Sequence, residues 1–97
     1  MSAPEIRRLV AMSTCHLSEA TAKRLDDTPA AEWPCCGGPY CYYGWFVYAN
    51  EENLGIDDDA IPDDLFAAMT WARKHGFEYI LFDCDAEIVE GLATYDW

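Results

Sequence analysis

Tyr42–Ala49 reads YYGWFVYA, five aromatic side chains and one valine in eight residues with no charge among them. Aromatic and β-branched side chains favour a pleated, half-buried backbone, so this segment is expected to be a strand. Such a strand needs neighbours for its backbone groups and an apolar layer over one face. The chain is thereby committed to a sheet with a cover. Ile6–Met12 (IRRLVAM) and Glu78–Asp83 (EYILFD) are the other strand candidates. Glu87–Leu92 is expected to return as a further strand after a turn at Cys84–Asp85–Ala86.

The cover is expected from two helices. Ser13–Leu17 turns the chain into the first, for which Ser18 is a good N-cap and Glu19 a favourable first-turn acid. Lys23 and Arg24 suit its far end, Leu17 is placed to staple onto Ala22, and Asp26–Pro29 closes it. Ala30–Tyr40, broken by Pro34, Gly37, Gly38 and Pro39, reads as a loop, and Asn50–Ile61 as a second, acidic one. Pro62 at the first helical position, beside Asp63 and Asp64, opens the better helix, which runs to about His75. Leu65, Phe66, Met69 and Ala72 form its apolar stripe; Arg73, Lys74 and His75 fill the last turn, and Gly76 caps it. The expectation is one α+β domain over residues 1–97 in the order β-α-β-α-β-β. It has about four strands with two helices on one face. A chain of this length buries about 60–70% of its unfolded surface, enough to fold without metal or disulfide.

Charge is distributed unevenly. Of eighteen Asp and Glu, sixteen lie in residues 26–97, against only Arg73 and Lys74; the net charge is −12. High charge with few apolar residues signals disorder, but 52% of this chain is apolar and 14% aromatic, so the charge sits on a folded body. Such a surface repels nucleic acid and is drawn to basic surfaces. The opening Met1–Pro4 has no charged n-region before an apolar run, and Trp45–Ala49 and Tyr79–Phe82 are far short of a bilayer span. A cytoplasmic location without membrane contact is the expectation.

Three segments taken together carry a resemblance: Ser13-Thr14-Cys15-His16-Leu17-Ser18, then Tyr43-Gly44-Trp45-Phe46-Val47-Tyr48, then Leu81-Phe82-Asp83-x-Asp85 followed by Gly91-Leu92-x-x-Tyr95-Asp96-Trp97. This pattern resembles a small family of uncharacterised bacterial proteins found on plasmids, phages and integrated elements, over roughly residues 10–97. The closing motif is its most specific part. The family has no assigned activity and lends no catalytic residue. The resemblance implies a mobile-element neighbourhood, where small acidic proteins often inhibit host defence nucleases.

Each chemical motif has a structural counter-reading. Asp83-x-Asp85 at a strand end resembles the nucleophile and acid of haloacid dehalogenase-like phosphatases, which hold Mg²⁺. Glu87 stands where the expected Thr would be, and twelve residues after Asp85 leave no room for the later motifs. A β-turn using Asp for local hydrogen bonds fits better. Cys15–His16 invites a thiol-nucleophile reading, but adjacent residues in a turning segment point apart. Cys15, Cys35, Cys36 and Cys41 with His16 include no Cys-x-x-Cys knuckle, so reduced thiols without zinc are expected. The aromatics around Tyr42–Ala49 lack the Lys and Arg of a single-strand nucleic-acid platform.

The acidic run remains. Glu51, Glu52, Asp57, Asp58, Asp59, Asp63 and Asp64 fall within fourteen residues holding no base. Carboxylates so spaced imitate duplex phosphates and fit a channel lined by Lys and Arg. A solvated loop with helix N-terminal acids is the plain alternative, and it accounts for Asp63 and Asp64. The sequence favours a non-catalytic protein, without cofactor or metal, that binds the basic nucleic-acid-binding surface of a protein partner. An anti-CRISPR or anti-restriction inhibitor acting as a DNA mimic is the specific form. A self-associating regulatory or structural protein, with a homodimer through exposed aromatics, is the alternative. A small hydrolase using Asp83 and Asp85 comes third.

Overall fold

The structure, a computed structural model, describes residues 6–33, 35–41, 43–49 and 61–96. Its elements are β1 (Leu9–Ser13), α1 (Glu19–Asp27), β2 (Gly37–Tyr40), β3 (Gly44–Tyr48), α2 (Asp63–Lys74) and β4 (Tyr79–Asp83). Single 3₁₀ turns cover Thr14–His16 and Ala30–Glu32. The fold is α+β, a mixed sheet in the order β1-β4-β3-β2. β4 pairs parallel to β1, Leu9 opposite Tyr79 and Ser13 opposite Asp83, and antiparallel to β3, Gly44 opposite Asp83 and Tyr48 opposite Tyr79. β2 and β3 form an antiparallel hairpin.

Alternation along the strands assigns the faces. Met12, Trp45, Val47, Ile80 and Phe82 point inward and join Leu17, Ala22, Leu25, Leu65, Ala68, Met69 and Ala72 in one core. Both helices therefore cover the same face of the sheet. Burying a side chain such as Phe82 or Leu65, each 0% exposed, stabilises the fold by about 1.5–3 kcal/mol. The opposite face carries Leu9, Ala11, Phe46, Tyr48, Tyr79 and Leu81, all partly exposed or exposed. Phe46 stacks on Tyr79 at 5.1 Å between ring centroids, and Tyr48 tilts against the same ring at 5.3 Å.

Local chemistry sets the boundaries. The Ser18 side chain caps α1 by accepting from the Thr21 N–H. Trp33 is buried, and its indole N–H donates to the carbonyls of Leu25 and Thr28 at 3.1 and 2.8 Å, which satisfies groups the end of α1 leaves open. Gly76, at φ +80°, ends α2 in the left-handed conformation that only glycine adopts freely. At Gly44 a Cβ would lie 1.6 Å from the Phe82 carbonyl oxygen, so the close approach of β3 to β4 excludes any side chain there.

Several boundaries differ from the sequence expectation. β1 is displaced toward Ser13 relative to Ile6–Met12. Pro62 is the N-cap of α2 rather than its first residue, and Ala68, not the half-buried Phe66, completes the buried stripe. Gly37–Tyr40 is an edge strand, not loop: Pro39 lacks a donor, but an edge position tolerates that. Glu87–Leu92 is not a strand; it runs irregularly, with a turn at Glu90–Gly91. The fourth strand is thus β2, and the order is β-α-β-β-α-β. The expected acidic loop lies, apart from Ile61, outside the described residues. Among the described residues no helix is long and apolar enough to cross a membrane.

Asp64 joins the two helices. Its Oδ2 accepts the Ser18 N–H at 2.7 Å, and its Oδ1 accepts the Thr21 hydroxyl at 2.8 Å. Both bonds are charge-assisted, at the start of α1 where the helix dipole also favours an anion. Asp64→Ala is expected to lower unfolding free energy by about 2–4 kcal/mol, from two charge-assisted bonds and the donors left without partners. Asp63→Ala, at an exposed neighbour, should cost less than about 1 kcal/mol. Urea denaturation of the two variants reads the contrast; equal losses would refute the bridging role.

Candidate functional site

Thr14–His16 leaves β1 at the same end of the sheet as Asp83–Asp85 leaves β4, because the two strands are parallel. Between them and the β2–β3 turn lies a cleft of about 510 Å³, bordered by Thr14, Asp26, Pro39, Cys41, Tyr43, Trp45 and Cys84. Gly44 also borders it. Cys41 holds φ +46° in the turn, where the Tyr43 N–H donates to the Tyr40 carbonyl at 3.0 Å. The Cys84 N–H donates to the Tyr43 carbonyl at 2.8 Å and extends the β3–β4 pairing to the cleft edge. Trp45 is buried, and its indole N–H donates to Asp26 Oδ1 at 3.0 Å, fixing that carboxylate at the end of α1.

Asp83, Cys84 and Asp85 hold their ligand-type atoms within 4.8 Å of one another. Asp83 Oδ1 accepts the Asp85 N–H at 2.9 Å, and its carbonyl accepts the Ala86 N–H at 3.1 Å. The pair thus forms a β-turn with an Asp side chain supporting it. The local hydrogen bonds expected of Asp at a turn are therefore present at Asp83-x-Asp85.

His16 is buried, and both ring nitrogens are engaged. The Val89 N–H donates to Nε2 at 2.8 Å, so the ring proton sits on Nδ1, which donates to the Ala93 carbonyl at 2.9 Å. The Tyr95 N–H donates to the Cys15 carbonyl at 2.8 Å, and the Ser13 N–H to the Glu87 carbonyl at 3.0 Å. His16 is therefore a clasp for the segment that follows β4. It has no nitrogen left to activate Cys15.

The cysteines are dispersed. Cys35 is buried, Cys15 half-buried, and Cys36, Cys41 and Cys84 exposed. Among the described residues Cys15, Cys35, Cys36, Cys41 and His16 are not gathered into one ligand set. Burial pushes the Cys35 thiol up from 9.0 to about 12, the neighbouring Cys36 adding to the rise and Arg24 opposing it. Of the acidic candidates, Asp63 is exposed and Asp64 is held against α1. Glu51, Glu52, Asp57, Asp58 and Asp59 lie outside the described residues. The cleft itself was missed in the sequence: Thr14, Asp26, Cys41 and Cys84 come from separate segments with no shared local pattern.

Native Cys35 is expected to resist iodoacetamide at pH 8 while Cys36, Cys41 and Cys84 label, as read by mass spectrometry. Because its folded pKa is raised, Cys35 favours folding fully below pH 9.0, and that contribution is lost as pH climbs toward about 12. His16→Ala should free the C-terminal segment, seen as faster proteolysis between Asp85 and Asp96 with β1–β4 protection from hydrogen exchange retained.

No curated protein and no solved structure matches the chain. A family model described as "Family of unknown function (DUF5983) C-terminal domain" matches residues 9–97, which runs from the first residue of β1 through the His16 clasp and the cleft to the closing Tyr95-Asp96-Trp97. The chain belongs to that family of unknown function, DUF5983.

Proposed function

We propose that this domain is a non-catalytic protein that binds the basic surface of a nucleic-acid-handling partner, inhibiting a CRISPR or restriction complex by charge mimicry. The observation that carries it is the charge: −12 net, with Glu51, Glu52, Asp57, Asp58, Asp59, Asp63 and Asp64 inside fourteen residues free of any base. Asp63 stands exposed at the start of α2 and belongs to that display; Asp64 is withdrawn into the helix bridge and contributes field rather than contact. Asp83 ends β4 and Asp85 and Glu87 follow it at one end of the parallel pair, while Arg7 and Arg8 precede β1 at the other. The molecule thus presents a polarised field to a basic partner. Occupation of both His16 nitrogens and the turn geometry of Asp83 support a role without turnover.

Charge-led binding weakens with salt. Affinity for a partner captured from a native bacterial host should fall at least about tenfold as salt rises from about 0.05 to about 0.2 M. Charge reversal at Glu51, Glu52, Asp57, Asp58 and Asp59 should abolish it. Partner binding that survives those reversals at low salt would sink the proposal. Mg²⁺-dependent phosphoester hydrolysis lost in Asp83→Asn would replace it with a hydrolase.

A second reading is favoured by the open sheet face. Leu9, at 44% exposure, with Phe46, Tyr48, Tyr79 and Leu81 makes an apolar surface opposite the helices, suited to a second copy of the chain. Self-association through it would strengthen or hold as salt screens the net charge, the reverse of a charge-led complex. Sedimentation across the same salt series separates the two.

A further inference from the structure

We infer that the cleft between Thr14, Asp26, Trp45 and Cys84 is a receptor for a guanidinium group, the arginine side chain of a protein partner. This rests on the partner-binding function proposed above and adds to it a specific pocket and ligand chemistry. Volume comes first. At about 510 Å³ the cleft falls within the ~300–1,000 Å³ of pockets that take organic groups, far more than a bare ion fills. Its lining includes Tyr43, half exposed, an aromatic side chain on whose face a flat cation stacks favourably, with Pro39 and the buried Trp45 beside it.

Charge selects the sign of the ligand. Among the described residues no Lys, Arg or His borders the cleft, whereas Asp26 does, and the carboxylates of Asp83 and Asp85 lie within 4.8 Å of the Cys84 sulfur on its rim. An anion would meet carboxylates with no base to offset them. The Asp26 carboxylate is aimed by the Trp45 indole, which takes Oδ1; among the described residues no donor takes Oδ2. An arginine stacked on Tyr43 would donate to Oδ2. Planarity and several donors distinguish guanidinium from the compact ammonium of lysine.

The test uses the whole chain and three acetylated, amidated peptides of sequence Gly-Arg-Gly, Gly-Lys-Gly and Gly-citrulline-Gly, followed by the Trp45 indole N–H resonance. The arginine peptide should shift that resonance saturably, the lysine peptide several-fold more weakly, and the citrulline peptide, matched in shape but uncharged, not at all. Asp26→Asn keeps an acceptor for the indole and should weaken arginine-peptide binding tenfold or more, with Tyr43→Ala weakening it about threefold. Glu19→Gln, remote on α1, should leave it unchanged. Equal binding of the citrulline peptide, or no response to arginine, overturns the assignment. So does micromolar Zn²⁺ or Ca²⁺ shifting Trp45 and displacing the peptide, which would make the site a metal site. Free arginine amide or spermidine binding more tightly than the peptide overturns the partner side chain in favour of a small free cation. A long Arg-rich peptide distinguishes failure of the cleft from failure of the wider function. If its salt-sensitive binding is lost on reversal of the acidic run yet untouched by Asp26→Asn, only the cleft assignment falls.

Discussion

The structure depends on β4 lying between two partners. Tyr79–Asp83 pairs with β1 on one edge and β3 on the other, so its backbone groups are satisfied on both sides and Ile80 and Phe82 are driven into the centre of the core. The parallel pairing has a second consequence. It brings residues about seventy apart in sequence to one end of the sheet, so that Thr14 and Cys84 border the same cleft. Gly44 allows this spacing, since any Cβ there would collide with the β4 backbone.

Where the strands stop, side chains and isolated backbone bonds replace the ladder. Four ties of residues 13–18 are these: Ser13 donates to Glu87, His16 holds Val89 and Ala93, Cys15 accepts from Tyr95, and Ser18 donates to Asp64. Three of the four hold the irregular segment after β4, which would otherwise leave its backbone groups dependent on water. The motif pieces around His16 and around Gly91–Asp96 are thus parts of one construction. Their hydrogen bonds hold that segment against the end of β1.

The acidic residues divide by what they touch. Asp64 is tied to α1, Asp26 is aimed by Trp45, Glu78 pairs with Arg7 at 2.5 Å, and Asp83 supports its own turn. Asp63, Asp85 and Glu90 are exposed. Equal formal charges therefore serve as helix tie, pocket wall, surface pair or open field, and only the last two respond strongly to salt.

The sequence by itself determined the elements whose signals are local. The aromatic run of β3, the apolar β4, the Ser18 cap, the stripe and Gly76 stop of α2 and the Cys84–Ala86 turn depend on neighbours a few residues away. It also determined the family resemblance, carried by runs of adjacent residues. Tertiary structure decided what those signals leave open. Gly37–Tyr40 has weak strand propensity and forms β2 because β3 offers a free edge, while Val89 lies in the apolar run Ile88–Val89 yet turns its N–H to His16 instead of a ladder. Asp63 and Asp64 are indistinguishable in sequence, and only the packing of α2 against the start of α1 separates an exposed acid from a helix tie. The cleft belongs to the same class, because its walls come from four segments that meet only when β1 and β4 align in parallel.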